Sequence, residues 1–291
     1  MINKTPKKIV KIKSLVFSLL FIFVVSSYCI EVNLKISGSL CYLNPEHINR
    51  SLNGWEEWFK KANLYYEYLS YKEGEVKNFN LGTAFEGEFI FSITPHFAAG
   101  FGTGYIYCEL SEEKTALTVD TYEETLVYSR PSKINVFPLN FSAYYFFPLS
   151  KKMKLFIRGG IGLVWAKYVE REARAESLED EFNYYWKQEA TSQGQIYFTS
   201  LGLIYESDRF FRFFIEGEVK SAKLSGFHGE TADEESGTLF FFEEYNQNLE
   251  FWQAQNVLLK EEPSGDNLRS IQETVIDLSG FSVKIGVIIK F

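Results

Sequence analysis

The sequence predicts an all-β protein, an eight-stranded antiparallel up-and-down transmembrane β-barrel with helical insertions in its long extracellular loops. Eight segments alternate apolar and polar residues with a period of two, as strands do when their two faces meet different media. The connections between them alternate between short polar turns and long loops, as in transmembrane barrels. Aromatic residues make up 18% of the 291 residues. After the first thirty residues no apolar run is long enough for a membrane helix, so these aromatics must be spread over short segments.

Residues 1–29 are predicted to be a cleaved secretory signal peptide, and residues 30–291 the barrel domain. The stretch "MINKTPKKIVKIK" is basic, "SLVFSLLFIFVVSS" is apolar, and the small residues Ser26 and Ser27 follow. Cleavage could follow Ser27 or Cys29, although the bulky Tyr28 makes lipid attachment at Cys29 a weak fit. An uncleaved N-terminal anchor is the alternative, and the shortness of the apolar run disfavours it.

The chain beyond residue 30 is acidic and poor in cysteine. It holds 25 basic and 38 acidic residues, a net charge of −13. Bulk charge of this sign excludes nucleic acid or an anionic surface as the partner of the chain as a whole. Cys41 and Cys108 are too few for a disulfide framework. Both are expected to face inward on the first and third strands, roughly 9–10 Å apart. That separation is beyond easy disulfide reach, so we expect free thiols, with a bridge between the two as the alternative.

The strand segments and their connections define the topology. The eight segments are 32–42, 79–93, 97–109, 133–147, 154–168, 195–205, 210–221 and 274–291. The short links are "TPH", "PLSKKM" and "ESDR", and the long connections are 43–78, 110–132, 169–194 and 222–273. With an even number of strands, the start of the first strand and the end of the last strand lie at the same side of the membrane, which is the periplasmic side in such barrels.

One face of each segment is a row of apolar residues and the other is small or charged. The second segment, for example, sets Phe85, Phe89 and Phe91 against Glu86 and Glu88. Such rows cross a bilayer when the strands are tilted, and closure of the barrel satisfies every backbone hydrogen bond in lipid. Five aromatic residues near the segment ends are expected to form interfacial girdles: Tyr42, Tyr107, Tyr145, Trp165 and Tyr205. A soluble secreted β-sandwich or lipocalin-like barrel is the competing interpretation.

The inward face carries charges of both signs. They are Lys35, Glu86, Glu88, Arg158, Arg212, Glu216, Glu218, Lys220 and Lys284. The interior of an eight-stranded barrel is just wide enough for its own side chains, so buried charges must pair. The pattern predicts a structural salt-bridge network that plugs the interior, with a narrow or gated polar path as the functional alternative.

The first long loop is predicted to contain a helix. Asn44-Pro45 is a start signal, and apolar residues then recur at spacings of three and four. This stripe comprises Ile48, Leu52, Trp55, Phe59, Ala62, Tyr66 and Leu69. It either packs on the barrel rim and neighbouring loops or forms an interfacial or partner-binding surface. The fourth loop is predicted to contain a second helix near 243–261, within the aromatic and acidic stretch "TLFFFEEYNQNLEFWQAQNVLLKEE".

The sequence indicates no catalytic residue, no cofactor and no metal site. The histidines are His47, His96 and His228, and no Cys/His cluster has metal-ligand spacing. His228 has Ser225 and Glu230 nearby, a combination that outer-membrane lipid-modifying enzymes use. Loops are rich in Ser and Glu, so a lipid-A-modifying activity is only a third hypothesis.

The chain resembles small bacterial outer-membrane β-barrel proteins of the OmpA-transmembrane, OmpW and opacity-protein type. The resemblance rests on the signal peptide, the eight segments and the final strand "SVKIGVIIKF". It implies a location in the bacterial outer membrane after Sec-type export, a monomer, and outer-membrane lipid as the surrounding partner. It also implies that Ile285, Val287, Ile289 and Phe291 form the signal that the barrel-assembly machinery reads.

The family supports several functions, so the resemblance does not decide the activity. It favours a structural, surface-display or loop-mediated binding role, with a possible extracellular partner at the loops. The alternative is a narrow OmpW-like channel for small solutes. The chain differs from the smallest members of the family in its two large loops.

Overall fold

The computed structural model describes residues 31–66, 69–207 and 210–291. The predicted signal peptide lies outside the described residues, as does part of the "ESDR" link. The elements in chain order are β1 (Glu31–Tyr42), α1 (Glu46–Tyr65), β2 (Leu69–Gly74), β3 (Leu81–Ser92), β4 (Phe97–Leu110), β5 (Leu117–Thr121), β6 (Thr125–Ser129), β7 (Ser132–Pro148), β8 (Met153–Ala175), β9 (Asn183–Glu206), β10 (Phe211–Ser221), β11 (Lys223–Leu224), β12 (His228–Thr231), β13 (Ser236–Asn246), β14 (Phe251–Leu259), β15 (Leu268–Glu273), β16 (Ile276–Asp277) and β17 (Gly280–Lys290).

Eight of these strands close into an antiparallel barrel. The ring runs β1-β3-β4-β7-β8-β9-β10-β17, and β17 pairs back to β1 from Asn33↔Lys290 to Cys41↔Ser282. Closure leaves no strand edge exposed, as a structure within lipid requires. All eight predicted strands are confirmed, with the last one starting at Gly280 rather than near 274.

A continuous belt of large apolar side chains covers the outside of this ring. The exposed members include Ile36, Leu40, Phe85, Phe89, Phe101, Phe137, Phe141, Ile157, Ile161, Leu201, Phe213, Ile215, Val283 and Ile285. On β7 the row runs from Phe137 to Phe147, the length that a tilted strand needs to cross the hydrocarbon core. Water-soluble proteins do not expose apolar patches of this extent. The barrel is therefore transmembrane, and the soluble sandwich and lipocalin-like alternatives are wrong.

No helix within the described ranges is long and apolar enough to cross a membrane.

The two ends of the barrel differ. The turns after β3 and β7, together with the link after β9, are short and lie at the end where β1 begins, which we call the short-turn end. At the opposite, long-loop end, β8 and β9 pair far beyond the lipid belt, to Arg174↔Asn183. The long loop predicted at 169–194 is therefore wrong, because most of it is strand. Its inward residues, such as Glu170 and Ala173, are buried against protein, and its outward residues, such as Arg171 and Lys187, are charged. The apolar row that marks a lipid-facing strand is therefore missing here.

The remaining elements form a compact cap on the long-loop end. We define the cap as α1, β2, β5, β6, β11–β16 and the protruding parts of β8 and β9. Its sheet runs β14-β13-β12-β9-β8-β6-β5-β2, and α1 packs against both outer strands, β14 and β2. The cap and the adjoining barrel interior share one buried apolar core.

The second predicted helix, near 243–261, is wrong. The stretch forms the hairpin β13–β14, with Thr238 opposite Leu259 and Asn246 opposite Phe251. Consecutive aromatic residues favour a strand that is buried on both faces, where alternation is not expected. The turn is supported by the Asn246 side chain, whose oxygen accepts a hydrogen bond from the Leu249 amide at 3.1 Å.

A sealed lumen beneath an acidic cap as the candidate functional site

The helix α1 closes the mouth of the barrel with the predicted apolar stripe. Ile48, Leu52, Trp55, Phe59 and Ala62 are all buried in the cap, whereas Tyr66 is half-buried and lies just after the helix ends. The helix is confirmed. Because its apolar face is covered by the chain's own residues, the alternative of an interfacial or partner-binding stripe is wrong.

Polar contacts fix the helix over the mouth. The side chain of Asn49 donates to the Phe79 carbonyl oxygen at 3.3 Å and accepts from the Phe79 amide at 2.8 Å. Arg50 Nη2 lies 2.5 Å from Glu243 Oε1 on β13. Glu243 Oε2 also accepts a hydrogen bond from Arg269 of β15 at 2.7 Å. Loops that are tied down in this way form a lid of defined shape rather than loose connections.

A buried polar group ties the protruding strands of the cap together. Arg130 Nε lies 2.7 Å from Oε1 of Glu170, and Gln188 donates to the other carboxylate oxygen at 2.6 Å. Gln188 also donates to the Asn256 carbonyl oxygen at 2.8 Å, which joins β9 to β14. Burial raises the pKa of Glu170, and the facing Arg130 guanidinium opposes that rise.

The centre of the barrel interior is a salt-bridge network, as predicted. Arg158 is fully buried, and its guanidinium nitrogens lie 2.5 Å from Glu86, 3.1 Å from Glu88, 3.4 Å from Glu216 and 3.0 Å from Glu218. One cation therefore bridges four carboxylates that come from two separate strands, β3 and β10.

Two lysines and two hydroxyl groups complete the network. Lys35 Nζ lies 2.5 Å from Glu216, and Lys284 Nζ lies 2.5 Å from Glu86 and 2.7 Å from Glu218. The hydroxyl of Tyr144 donates to Glu88 at 2.5 Å, and Ser142 donates to the same carboxylate.

The network is close to electroneutral. Lys220 is also buried beside it, and among the described residues no carboxylate oxygen lies within 4.0 Å of its amine. With Lys220 the buried cluster has four cations and four carboxylates. Charge balance of this kind is what burial of ions demands.

Arg212 is not part of this cluster, contrary to the prediction. It lies at the short-turn end, 3.4 Å from Glu31 and 3.2 Å from Glu206. Its position as the second residue of β10 could have shown this, because the direction of each strand sets the depth of every side chain in the barrel.

Apolar layers, which were not predicted from the sequence, lie above and below the charges. The layer toward the short-turn end is made of Ile90, Ala98, Phe156, Ile204, Phe214 and Ile288. The layer toward the cap includes Ile106, Ile134, Val136, Val164 and Ile196. These residues have the inward parity of their strands, which is the signal that sequence reasoning missed. The cavity left beside Glu86, Glu218 and Lys220 has a volume of only about 30 Å³, about one water molecule.

Several larger cavities open outside the sealed interior. One of about 620 Å³ lies at the short-turn mouth, with Ile90, Phe146 and Ile288 at its base and Arg212 and Lys154 on its rim. Another of about 480 Å³ lies on the outer surface, where the cap meets the lipid belt.

The histidines do not form a catalytic arrangement in the described part of the chain. Ser225 and His228 line the same outer cavity, but the His228 ring bonds the Thr238 hydroxyl at 3.0 Å and has no hydrogen bond to Ser225 or Glu230. His96 bonds the Phe146 carbonyl oxygen, and His47 stacks on Phe241. No group of three or more Cys, His, Asp or Glu side chains in these ranges could hold a metal ion.

The residues of the proposed assembly signal lie on the outer face of β17. Ile285 is exposed, Val287 and Ile289 are partly exposed, and Phe291 follows the strand as an exposed residue. Their role in assembly stays a prediction. Cys41 and Cys108 are buried free thiols, as predicted.

No protein-family model matches this chain, and no curated protein matches it. Three similar solved structures are bacterial outer-membrane barrels. Ail of Yersinia pestis, solved with the heparin analogue sucrose octasulfate, is 7% identical, with 90% of this chain and 97% of that chain covered and a TM-score of 0.34. OprG of Pseudomonas aeruginosa is 8% identical over 90% and 95%, with a TM-score of 0.39. The protease OmpT of Escherichia coli is 9% identical over 90% and 97%, with a TM-score of 0.34. At this level of similarity, the fold of the chain is best defined by its own closed ring of strands and lipid-facing belt.

Proposed function

We propose that this chain is a non-conducting outer-membrane barrel protein that acts through its cap, in a structural or surface-binding role. The observation that carries the proposal is the filled interior, in which Arg158 bridges four carboxylates between two apolar layers. Solutes have no continuous path through such an interior. The long-loop end then faces the outside of the cell, as in other up-and-down barrels.

Conductance in a planar lipid bilayer tests the proposal against the small-solute channel. We expect the purified, folded protein to insert and remain silent. A variant with Arg158→Gly, Phe156→Gly and Phe198→Gly removes three buried side chains that fill the interior, and it serves as the open control once its folding is verified by heat-modifiable gel migration. Discrete openings of the unmodified barrel would overturn the proposal in favour of the channel.

The charge of the cap indicates the class of partner. The segments 43–80, 111–131, 168–193 and 222–279 hold 30 of the 38 acidic residues of the chain and only 13 of its 30 basic residues. At the tip of the β8–β9 hairpin, Glu176, Glu179, Asp180 and Glu181 are all exposed, and the exposed Tyr185 lies close by. Acidic surfaces steer cationic ligands, and exposed aromatic side chains add contact area. We therefore propose a cationic protein or peptide as the partner.

Binding of a lysine-rich peptide to the barrel in nanodiscs measures this preference. The affinity should fall as salt rises, and it should fall further when Glu176, Glu179, Asp180 and Glu181 are changed to their amides. An acidic peptide of equal length is the control. Equal affinity for both peptides would contradict the assignment of a cationic partner.

A further inference from the structure

The outer surface just above the lipid belt differs from the rest of the cap. On β7, β8 and β9 the last apolar level of the belt is Phe137↔Trp165, with Trp165 opposite Gln193. The next levels toward the cap carry four outward cations, Lys133, Lys167, Arg171 and Lys187, in the registers Asn135↔Lys167, Lys133↔Val169 and Arg171↔Lys187. We call these four residues the basic row.

The basic row is concentrated on one side of the barrel. The outward residues at the long-loop ends of β10, β17, β1 and β3 are uncharged: Ser221, Phe281, Tyr42 and Leu81. Two residues along a strand span about 7 Å, so the first cation lies one headgroup layer above the apolar belt. This is where phosphate groups of a lipid leaflet are found.

Acidic residues only partly neutralise the row. Glu189 lies among the cations, 2.9 Å from both Lys167 and Lys187. Glu109 flanks Lys133 on β4, where it accepts a hydrogen bond from Tyr107, and Glu230 flanks Glu189 on β12. Among the described residues neither Lys133 nor Arg171 has a carboxylate within 4.0 Å; Lys133 lies over the Tyr107 ring and Arg171 over the Tyr184 ring. Hydrogen bonds from the two lysines lower the pKa of Glu189. The patch thus keeps two cations free for an anionic ligand.

Two cavities that share Lys167 give this patch a concave shape. One of about 360 Å³ is lined by Lys133, Lys167 and Arg171, together with Glu109, Glu112 and Glu189. The other, of about 480 Å³, meets the row only at Lys167 and adjoins the lipid belt. Phe137 and Trp165 form its lower wall, and Lys167, Ser192, Gln193 and His228 line its upper part. The lower wall suits an acyl chain, and the upper part offers a cation and polar donors to a headgroup. The apolar part of the cavity faces the bilayer and the cationic part lies above it. This arrangement matches the acyl chain and headgroup of a lipid, and a soluble anion would not use the apolar part.

We propose that the basic row and this cavity form a binding site for the phosphate-bearing headgroup of an anionic lipid in the outer leaflet. The net negative charge of the cap as a whole would repel such lipids, so the site acts only at this side of the barrel. The site would hold the barrel in a defined orientation relative to its lipid neighbours. The proposal rests on the proposed outer-membrane location.

Native mass spectrometry of the barrel released from nanodiscs tests the site. The nanodiscs contain equal amounts of phosphatidylglycerol and phosphatidylcholine with identical chains. We expect phosphatidylglycerol to be retained preferentially, and the triple variant Lys133→Gln, Lys167→Gln, Arg171→Gln to lose that preference by roughly tenfold. The matched control, Lys72→Gln, Lys77→Gln, Lys260→Gln, removes the same charge from exposed cap lysines that pair with other acids, and it should retain the preference.

Each outcome has a distinct meaning. Equal retention of both lipids by the unmodified protein, or equal loss in both triple variants, would overturn the site while leaving the closed barrel intact. Retention of neither lipid would also overturn the site, because a specific headgroup site should keep its lipid on release from the nanodisc. Displacement of the bound lipid by millimolar inorganic phosphate would show that the row binds a free anion, which also overturns the lipid assignment.

Discussion

Arg158 Nη2 lies 3.1 Å from Glu88 Oε2, and both side chains are fully buried at the centre of the barrel. Neither group can reach water, so each depends on the other and on the charges around them. In a medium of low polarity, removing one partner leaves the remaining charges uncompensated, and this costs far more than the pair contributes. The network therefore holds the strands in one arrangement, because any arrangement that separates a buried charge from its partner is much higher in free energy.

We expect Arg158→Ala to destabilise the folded barrel by about 3–5 kcal/mol, because four buried carboxylates lose their common cation. Heat-modifiable gel migration and the urea midpoint of unfolding in lipid vesicles measure the change. Arg212→Ala is the matched control, since Arg212 has the same chemistry but lies at the partly solvated short-turn mouth. It should lower the urea midpoint much less. Unchanged migration and an unchanged midpoint for Arg158→Ala would contradict the structural role of the network.

The barrel strands and the charged centre could be predicted from the sequence because both depend on local parity. A lipid-facing row such as Phe213 and Ile215 must repeat every second residue, and Glu216 and Glu218 must then face inward. Buried charges must also pair, which points to Arg158 as a partner. The parity of a residue shows which face of the strand it lies on, but not how far along the barrel axis it lies. Parity alone therefore groups Arg212 with the central charges, although it lies at the short-turn end.

The cap could not be predicted because its strands have protein on both faces. Phe240, Phe241 and Phe242 are all buried, so the hairpin β13–β14 shows no alternation. The ends of β8 and β9 were hidden for a different reason: their outward residues, such as Arg171 and Lys187, are charged, so they lack the apolar row of a lipid-facing strand. The helix α1 was predictable, since it has one covered and one solvated face and hence a clear stripe.

Gly54 of α1 is expected to tolerate no side chain. A Cβ atom at this position would lie 2.7 Å from the carbonyl oxygen and 2.8 Å from the amide nitrogen of Ala254 on β14. Replacing glycine by alanine within a helix ordinarily stabilises it by about 1 kcal/mol. Here we expect Gly54→Ala to destabilise the cap by about 1–3 kcal/mol, because the backbone of β14 must move.

Limited proteolysis of the cap and hydrogen exchange of the β14 amides measure this effect. The control is Asn53→Ala, on the exposed face of the same helix turn, which should leave both readouts unchanged or slightly more protected. Faster exchange only in Gly54→Ala supports close packing of α1 on β14. Equal or slower exchange in that variant would show that the helix does not rest on the strand.

The contact between His47 and Val275 should make the cap sensitive to acid. The Val275 backbone amide donates to His47 Nδ1 at 3.0 Å, and the ring stacks on Phe241. The other ring nitrogen, Nε2, lies 3.3 Å from the side-chain amide nitrogen of Gln272. Burial lowers the pKa of His47 from its ordinary 6.5; the Glu46 carboxylate opposes this shift and Arg50 adds to it. Because the folded state favours the neutral ring, its stabilising contribution is full above pH 6.5. It is lost as the pH falls below that value through the lowered pKa, when the proton displaces the hydrogen bond from Val275.

We expect hydrogen exchange in residues 271–278, corrected for intrinsic rates, to speed up between pH 7.5 and 5.5. In His47→Gln, which keeps an acceptor but does not titrate, this pH dependence should disappear, and its persistence there would assign the effect to another group.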